Sequence, residues 1–109
     1  MNVSIATVDS AIVVTAEGEL DLVSAAELDG VLTEGIVQAA SRLVLDLSAV
    51  TFMDSTGLGT VVKALKRCRE KHLDFRVVVG TERVRKVFEI TGLDSLIALS
   101  SALDDALNA

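Results

Sequence analysis

Near the start of the chain Val3, Ile5 and Thr7 alternate with Ser4 and Ala6, and a second β-rich run, Ala11 to Ala16, follows Asp9-Ser10. Period-two alternation on either side of a short polar pair predicts a β-hairpin. Gly18 is expected to stop the second strand. The period then changes. Leu28, Val31, Leu32, Ile36 and Ala39 recur at three- and four-residue intervals, which predicts an amphipathic helix over residues 24–40. Ser24 and Glu27 have the spacing of a capping box that would open it. Leu43 to Leu47 is nearly all apolar, as a central strand covered on both faces requires.

Beyond the Asp54-Ser55-Thr56-Gly57 turn, Leu58, Val61, Leu65, Cys68 and His72 fall along one helical face, so a helix is expected from near Gly57. Phe75 to Val79 reads as a strand ended by Gly80. A short helix from about Glu82 to Ile90 should stop at Thr91-Gly92, with Gly92 as a left-handed cap. A weak strand over Leu96 to Leu99 and a last helix after Ser101-x-x-Asp104 complete the order β-β-α-β-α-β-α-β-α. Strands alternating with helices predict an α/β fold: one domain over 1–109, a mostly parallel central sheet of about five strands with an N-terminal hairpin, and about four helices.

Composition narrows the function. At 109 residues with no Trp or Tyr, three Phe and a net charge of −6, the chain lacks the phosphate-neutralising charge and stacking platforms of a nucleic-acid binder. One cysteine and one histidine cannot build a transition-metal site, so no cofactor or metal is expected. No apolar run is long enough to span a membrane, and the first ten residues do not have the pattern of a signal peptide. A cytoplasmic setting is expected. The charge is segregated: residues 1–62 hold nine acids and one base, residues 63–86 nine bases and three acids, and residues 87–109 four acids and no base.

Phe52-Met53-Asp54-Ser55-Thr56-Gly57-Leu58-Gly59 is the segment richest in candidate chemistry. One polar residue suffices to cap a helix, and three stand here, at the carboxyl end of a strand where open α/β sheets place their ligands. It is not a Walker A loop, because no lysine follows Gly59, and G-x-G-x-x-G is absent. Met53 stands where a hydrolase G-x-S-x-G elbow needs glycine. In an aspartic-protease triplet the aspartate would be two residues from the glycine, whereas Asp54 is three from Gly57. Asp46, in the apolar strand, has the location of a phosphorylated receiver-domain aspartate, but Val8-Asp9-Ser10 offers one carboxylate where a magnesium-binding pair is needed. A small hydrolase or phosphoryl-transfer enzyme using Asp54 or Asp46 is the alternative from another class. Cys68 is expected to face the core.

FMDSTGLG after LVLDLSAV, with Gly18-Glu19-Leu20-Asp21 before Ser24-Ala25 and with Gly92-Leu93 further on, resembles the anti-sigma factor antagonists of the STAS-domain family along nearly the whole chain. The resemblance implies a binding protein rather than an enzyme. It would bind a cognate anti-sigma factor, a serine kinase that supplies its own ATP, and so release the sigma factor. Phosphorylation of Ser55 by that kinase would switch it off, and a serine phosphatase would reverse the change. Thr56 is the secondary acceptor. Asp21 and Asp54 match acidic positions that contact the kinase, and Gly57 and Gly59 match glycines that shape the turn. Leu58, Lys63 and Arg67 extend the expected partner surface along the helix. The free protein is expected to be a monomer or weak dimer. The alternative within the family is a STAS scaffold or accessory subunit that is not phosphorylated, in a lipid-transport or stress-signalling complex.

Overall fold

A computed structural model describes residues 1–108. Strands β1 (Asn2–Val8) and β2 (Ala11–Leu20) form the hairpin, followed by α1 (Leu22–Gln38), β3 (Arg42–Met53), α2 (Ser55–Glu70) and β4 (Asp74–Val79). Helix α3 (Glu82–Ile90), a 3₁₀ turn at Leu93–Ser95, β5 (Ala98–Ser100) and α4 (Leu103–Asn108) complete the chain. The five strands lie in the order β1-β2-β3-β4-β5, antiparallel at β1–β2 and parallel elsewhere. Asp9 and Ser10 both take positive φ, as a two-residue primed hairpin turn demands.

Every parallel step moves to the next strand in the same direction, so crossovers of one hand must lay their helices on one face. The core agrees. Leu28, Leu32 and Ile36 of α1, Val61, Leu65 and Cys68 of α2, and Val84 and Phe88 of α3 pack with Ile12, Val14, Leu43, Leu45, Val77 and Val79 of the sheet. The other face is covered by α4, whose Ala106 packs with Ala11, Val13, Val44 and Val78. Arg42 and Arg76 hold that short helix by donating to its last carbonyls, Arg42 Nη1 to Leu107 O at 2.6 Å and Arg76 Nη1 to Ala106 O at 3.3 Å. Asp74 bridges both guanidiniums, at 3.1 and 3.0 Å. Burial works against its carboxylate, but the hydrogen bond and charge of Arg76 and the charge of Arg42 outweigh it and hold the carboxyl below its ordinary range.

Several sequence expectations are corrected. Gly18 does not stop β2; the strand passes through it at φ 108°, beside a register shift, and runs on to Leu20. Strand β3 continues to Met53 rather than ending at Leu47, because two register shifts against β2 place Leu47, Val50 and Met53 three residues apart, all buried. The amide of Ser48 in the first shift is satisfied by Asp46 Oδ1 at 2.9 Å. A side chain on Gly80 would collide with the Ser48 backbone, so glycine ends β4 where the bulge presses on it. Helix α1 starts at Leu22 rather than Ser24 and ends at Gln38 rather than 40. Helix α2 starts at Ser55, ahead of Gly57. His72 is not on the α2 face; it lies past the helix end, exposed, at φ 57°. The weak strand is 98–100 rather than 96–99, since Leu93–Ser95 takes a 3₁₀ turn. Ser101 accepts from Arg85 Nη2 at 3.0 Å, and α4 begins at Leu103.

Candidate functional site

Leu20 and Met53 are paired at the carboxyl ends of β2 and β3, so the helices that follow start side by side. Asp21 caps α1 and Asp54 caps α2. The two starts are tied by backbone: the Asp54 amide donates to the Leu20 carbonyl at 3.1 Å. Asp54 Oδ1 accepts from the Gly57 amide at 2.9 Å, which satisfies one free donor of the first turn. Gly57 is buried against β2. A methyl group there would lie 2.6 Å from Leu20 Cγ and 2.7 Å from the Leu20 carbonyl oxygen, so only glycine lets α2 come this close.

Gly59 is different. It is exposed within the helix, nothing lies within 4 Å of where its side chain would begin, and it does not shape the turn. What it leaves is room. A shallow groove of about 370 Å³ runs between the first turns of α1 and α2, lined by Leu22, Ala25, Asp29, Thr56, Gly59 and Lys63 among others. Leu22, in its lining, is 73% accessible; Val23, next to it in α1, is 86% accessible, and Phe52, two residues before Asp54, is 38% accessible.

Ser55 is the first residue of α2 and is exposed, as is Thr56. Because Asp54 does the capping, the Ser55 hydroxyl has no structural task. Leu58 is half-buried against the main core. Lys63 and Arg67, expected to border the partner surface, do lie along the same side of α2 as the groove, but their charges meet α1. Lys63 Nζ is 3.1 Å from Asp29 Oδ2, and Arg67 Nη1 is 3.8 Å from Asp29 Oδ1 and 2.6 Å from Thr33 Oγ1. Lys71 reaches the Ile36 carbonyl at 3.5 Å. This row fastens the two helices together, and such exposed pairs are worth little individually.

The sequence reading missed Ser24 as the residue that completes the α1 cap. Its hydroxyl accepts from the Asp21 amide at 3.0 Å and donates to the Glu19 carbonyl at 2.8 Å, while Asp21 Oδ1 accepts from the Ser24 and Val23 amides. The capping box therefore pairs Asp21 with Ser24, not Ser24 with Glu27. The signal was present: Asp21-x-x-Ser24 has the same three-residue spacing. The Ser24 amide and then its hydroxyl hold the Asp21 carboxyl below the ordinary range.

The other chemical candidates lie elsewhere. Asp46 is buried, committed to the Ser48 amide, and registered with Thr15, well up the sheet from Asp9 in the hairpin turn. Burial pushes the Cys68 thiol up to about 11, with the charge of Lys71 opposing. Among the described residues no three His, Cys, Asp or Glu side chains gather to hold a metal ion, and no helix is long and apolar enough to cross a membrane.

Comparison with known proteins bears on the fold and the family. The chain is 32% identical over 104 residues to the anti-sigma-B factor antagonist of Staphylococcus aureus strain NCTC 8325, covering 95% of this chain and 96% of that protein. The structure superposes on an anti-sigma factor antagonist from Mycobacterium paratuberculosis with TM-score 0.90 and 32% identity, covering 97% of this chain and 90% of that one. A Bacillus cell fate determinant in its phosphorylated form shares the fold, with TM-score 0.74, 20% identity, and coverage of 98% and 97%. The family model for the STAS domain matches residues 2–106, and the chain belongs to that family.

Proposed function

We propose that this chain is an anti-sigma factor antagonist. In its unmodified form it binds a cognate anti-sigma factor through the surface where α1 and α2 begin, and the sigma factor is released. The anti-sigma factor is also a serine kinase: it transfers the γ-phosphoryl group of its own ATP to Ser55 Oγ, takes up the hydroxyl proton and leaves ADP. The modified protein then lets go, and a serine phosphatase restores it in the cytoplasm.

One observation carries this reading. Ser55 is an exposed hydroxyl with no capping duty, at the head of a helix that lines a groove together with exposed Leu22, while Val23 in the first turn of α1 and Phe52 near the end of β3 are further exposed apolar residues on the segments that meet there. The relatives' roles as anti-sigma factor antagonists support the choice of partner. As partner contacts we assign Leu22, Val23, Thr56 and Gly59, with Asp21, Asp54, Leu58, Lys63 and Arg67 at the margin. Gly57 serves by bringing the helix in.

The physics of the switch is local. Phosphate adds roughly −1.5 to −2 charges and three acceptor oxygens. At the first turn of α2 the free amides and helix dipole accommodate that charge, while Asp54 next to it opposes. The fold need not change. A phosphate buried against the partner forfeits its hydration, and a penalty of ~3–4 kcal/mol weakens binding a few-hundred-fold.

The test is incubation with the anti-sigma factor kinase and ATP, mapping of phosphate by mass spectrometry, and titration of each form against the kinase. One phosphate on the native chain, none on Ser55→Ala, and a few-hundred-fold loss of affinity are expected. Equal affinity of the two forms defeats the proposal. Tight binding with no phosphate would make the chain a scaffold, and a phosphate that survives in Ser55→Ala would move the acceptor to Thr56.

A further inference from the structure

β1 is the outer strand of the sheet, and among the described residues no strand pairs with its far side. Its seven residues, Asn2 to Val8, include no charge and no proline, and its register with β2 is unbroken by any bulge. Folded proteins ordinarily blunt such an edge with lysine, proline, a bulge or shortness. The opposite edge is blunted in this way, since β5 has three residues. β1 therefore presents a row of outward amides and carbonyls on an unbulged, neutral strand.

We propose that β1 pairs with β1 of a second copy of this chain, antiparallel about a two-fold axis at Ile5, joining two five-stranded sheets into one. The strand is self-complementary in that register. Ile5 faces Ile5, Val3 faces Thr7, Ser4 faces Ala6 and Asn2 faces Val8, so no like charges meet. On the helix-bearing face the opposed residues are all β-branched, the favoured cross-strand partners. Val3 and Ile5 already pack against the main core, which would continue across the junction. Because the pattern matches its own reversal, a second copy is the occupant it fits best.

The partner's parallel strands run the opposite way, so the two Ser55 surfaces lie at opposite ends of the assembly and do not compete. The inference stands apart from the proposed function. A seven-residue edge is a small interface, so the dimer is weak and reversible. Each copy carries −6, with Asp9 and Glu17 flanking the strand pair, so association should tighten as salt screens the repulsion.

Sedimentation equilibrium to about 1 mM tests this, since interfaces below ~1,200 Å² give weak encounters. A dimer that strengthens with salt is expected. Thr7→Lys and Ser4→Lys, both at exposed positions, should weaken it at least tenfold while thermal unfolding by circular dichroism stays cooperative. The register has its own readout in a Cys68→Ala background with oxidised glutathione. Ile5→Cys should form a disulfide-linked dimer, and Thr7→Cys, four residues from its counterpart, should not. A monomer at every concentration overturns the proposal, as does a dimer indifferent to both lysines. Faster linkage through Thr7→Cys than Ile5→Cys would overturn the register. Should the lysine variants fail to fold, the linkage pair decides.

Discussion

Gly57 and Gly59 are two residues apart in the same helix, yet the same substitution should act on them with opposite sign. In Gly57→Ala the new methyl would sit 2.6 Å from Leu20 Cγ and 2.7 Å from the Leu20 carbonyl oxygen. Leu20 is fully buried, and its carbonyl is the acceptor for the Asp54 amide, so neither a rotamer change nor a free backbone shift relieves the clash. Overpacking of this kind costs ~1–3 kcal/mol, and a backbone contact belongs at the upper end. Alanine returns about 1 kcal/mol of helix propensity, for a net loss of about 2 kcal/mol. At Gly59 the space is open and the backbone is helical, so the propensity gain stands alone, at ~0.5–1 kcal/mol. Urea unfolding reads both. With a slope of ~1–1.5 kcal/mol per molar, the midpoint of Gly57→Ala should fall by about 1.5 M and that of Gly59→Ala should rise by about 0.5 M. Gly59→Ala should also weaken anti-sigma factor binding, because its methyl enters the groove, giving a more stable protein that binds less well. Midpoints that shift in the same direction, or a Gly57→Ala midpoint equal to wild type, would refute the close approach of α2 to Leu20.

Ser24→Ala should lose ~0.5–2 kcal/mol in the same unfolding assay, since it strips the hydroxyl partner from the Glu19 carbonyl and from the Asp21 amide at the start of α1. Asp21 and Asp74 have lowered carboxyl pKa values, so what they contribute is whole above the unfolded value of about 4 and is lost as pH falls through the lower folded values. Asp21→Asn should therefore flatten the acid limb of stability against pH, and an unchanged limb would count against the cap. Cys68, buried with its thiol raised to about 11 from 9.0, should resist a thiol-directed disulfide reagent in the native state and react at once in denaturant. Its sign is the reverse of the carboxylates: the stability it lends is complete below the unfolded thiol value and declines as pH rises toward 11.

Most of the architecture was legible because local signals agreed with the tertiary outcome. Asp9-Ser10, the apolar Leu43–Leu47 run and the amphipathic α3 each have one sensible structure. The misreadings share a cause. Leu22 and Val23 are exposed apolar residues at the start of α1, so the helical period is not visible until Ala25, and two overlapping capping boxes compete. The choice of Asp21 over Ser24 depends on the Glu19 carbonyl, which local spacing cannot show. Bulges concealed the end of β3 by turning a period of two into a period of three at Leu47, Val50 and Met53. At the site, local composition marked the Asp54 to Gly57 segment, and the family resemblance singled out Ser55 within it. The use of Lys63 and Arg67 could not, since Asp29 lies 34 residues from Lys63 in sequence.

The bond from Asp54 to Leu20, with Gly57 pressed on the same residue, separates two kinds of position that are interleaved in sequence. Leu20, Asp21, Ser24, Asp54 and Gly57 are spent on holding the two helix starts together. Leu22, Val23, Phe52, Thr56 and Gly59 carry almost no structural duty. In the proposed complex the rigid set would present a surface already in its binding shape, so little ordering entropy would oppose association. The free set can drift with small effects on stability. Duplicated copies of such a chain could therefore diverge in partner choice, acquiring clashes against each other's partners while keeping the fold, and their circuits would become insulated by a handful of substitutions.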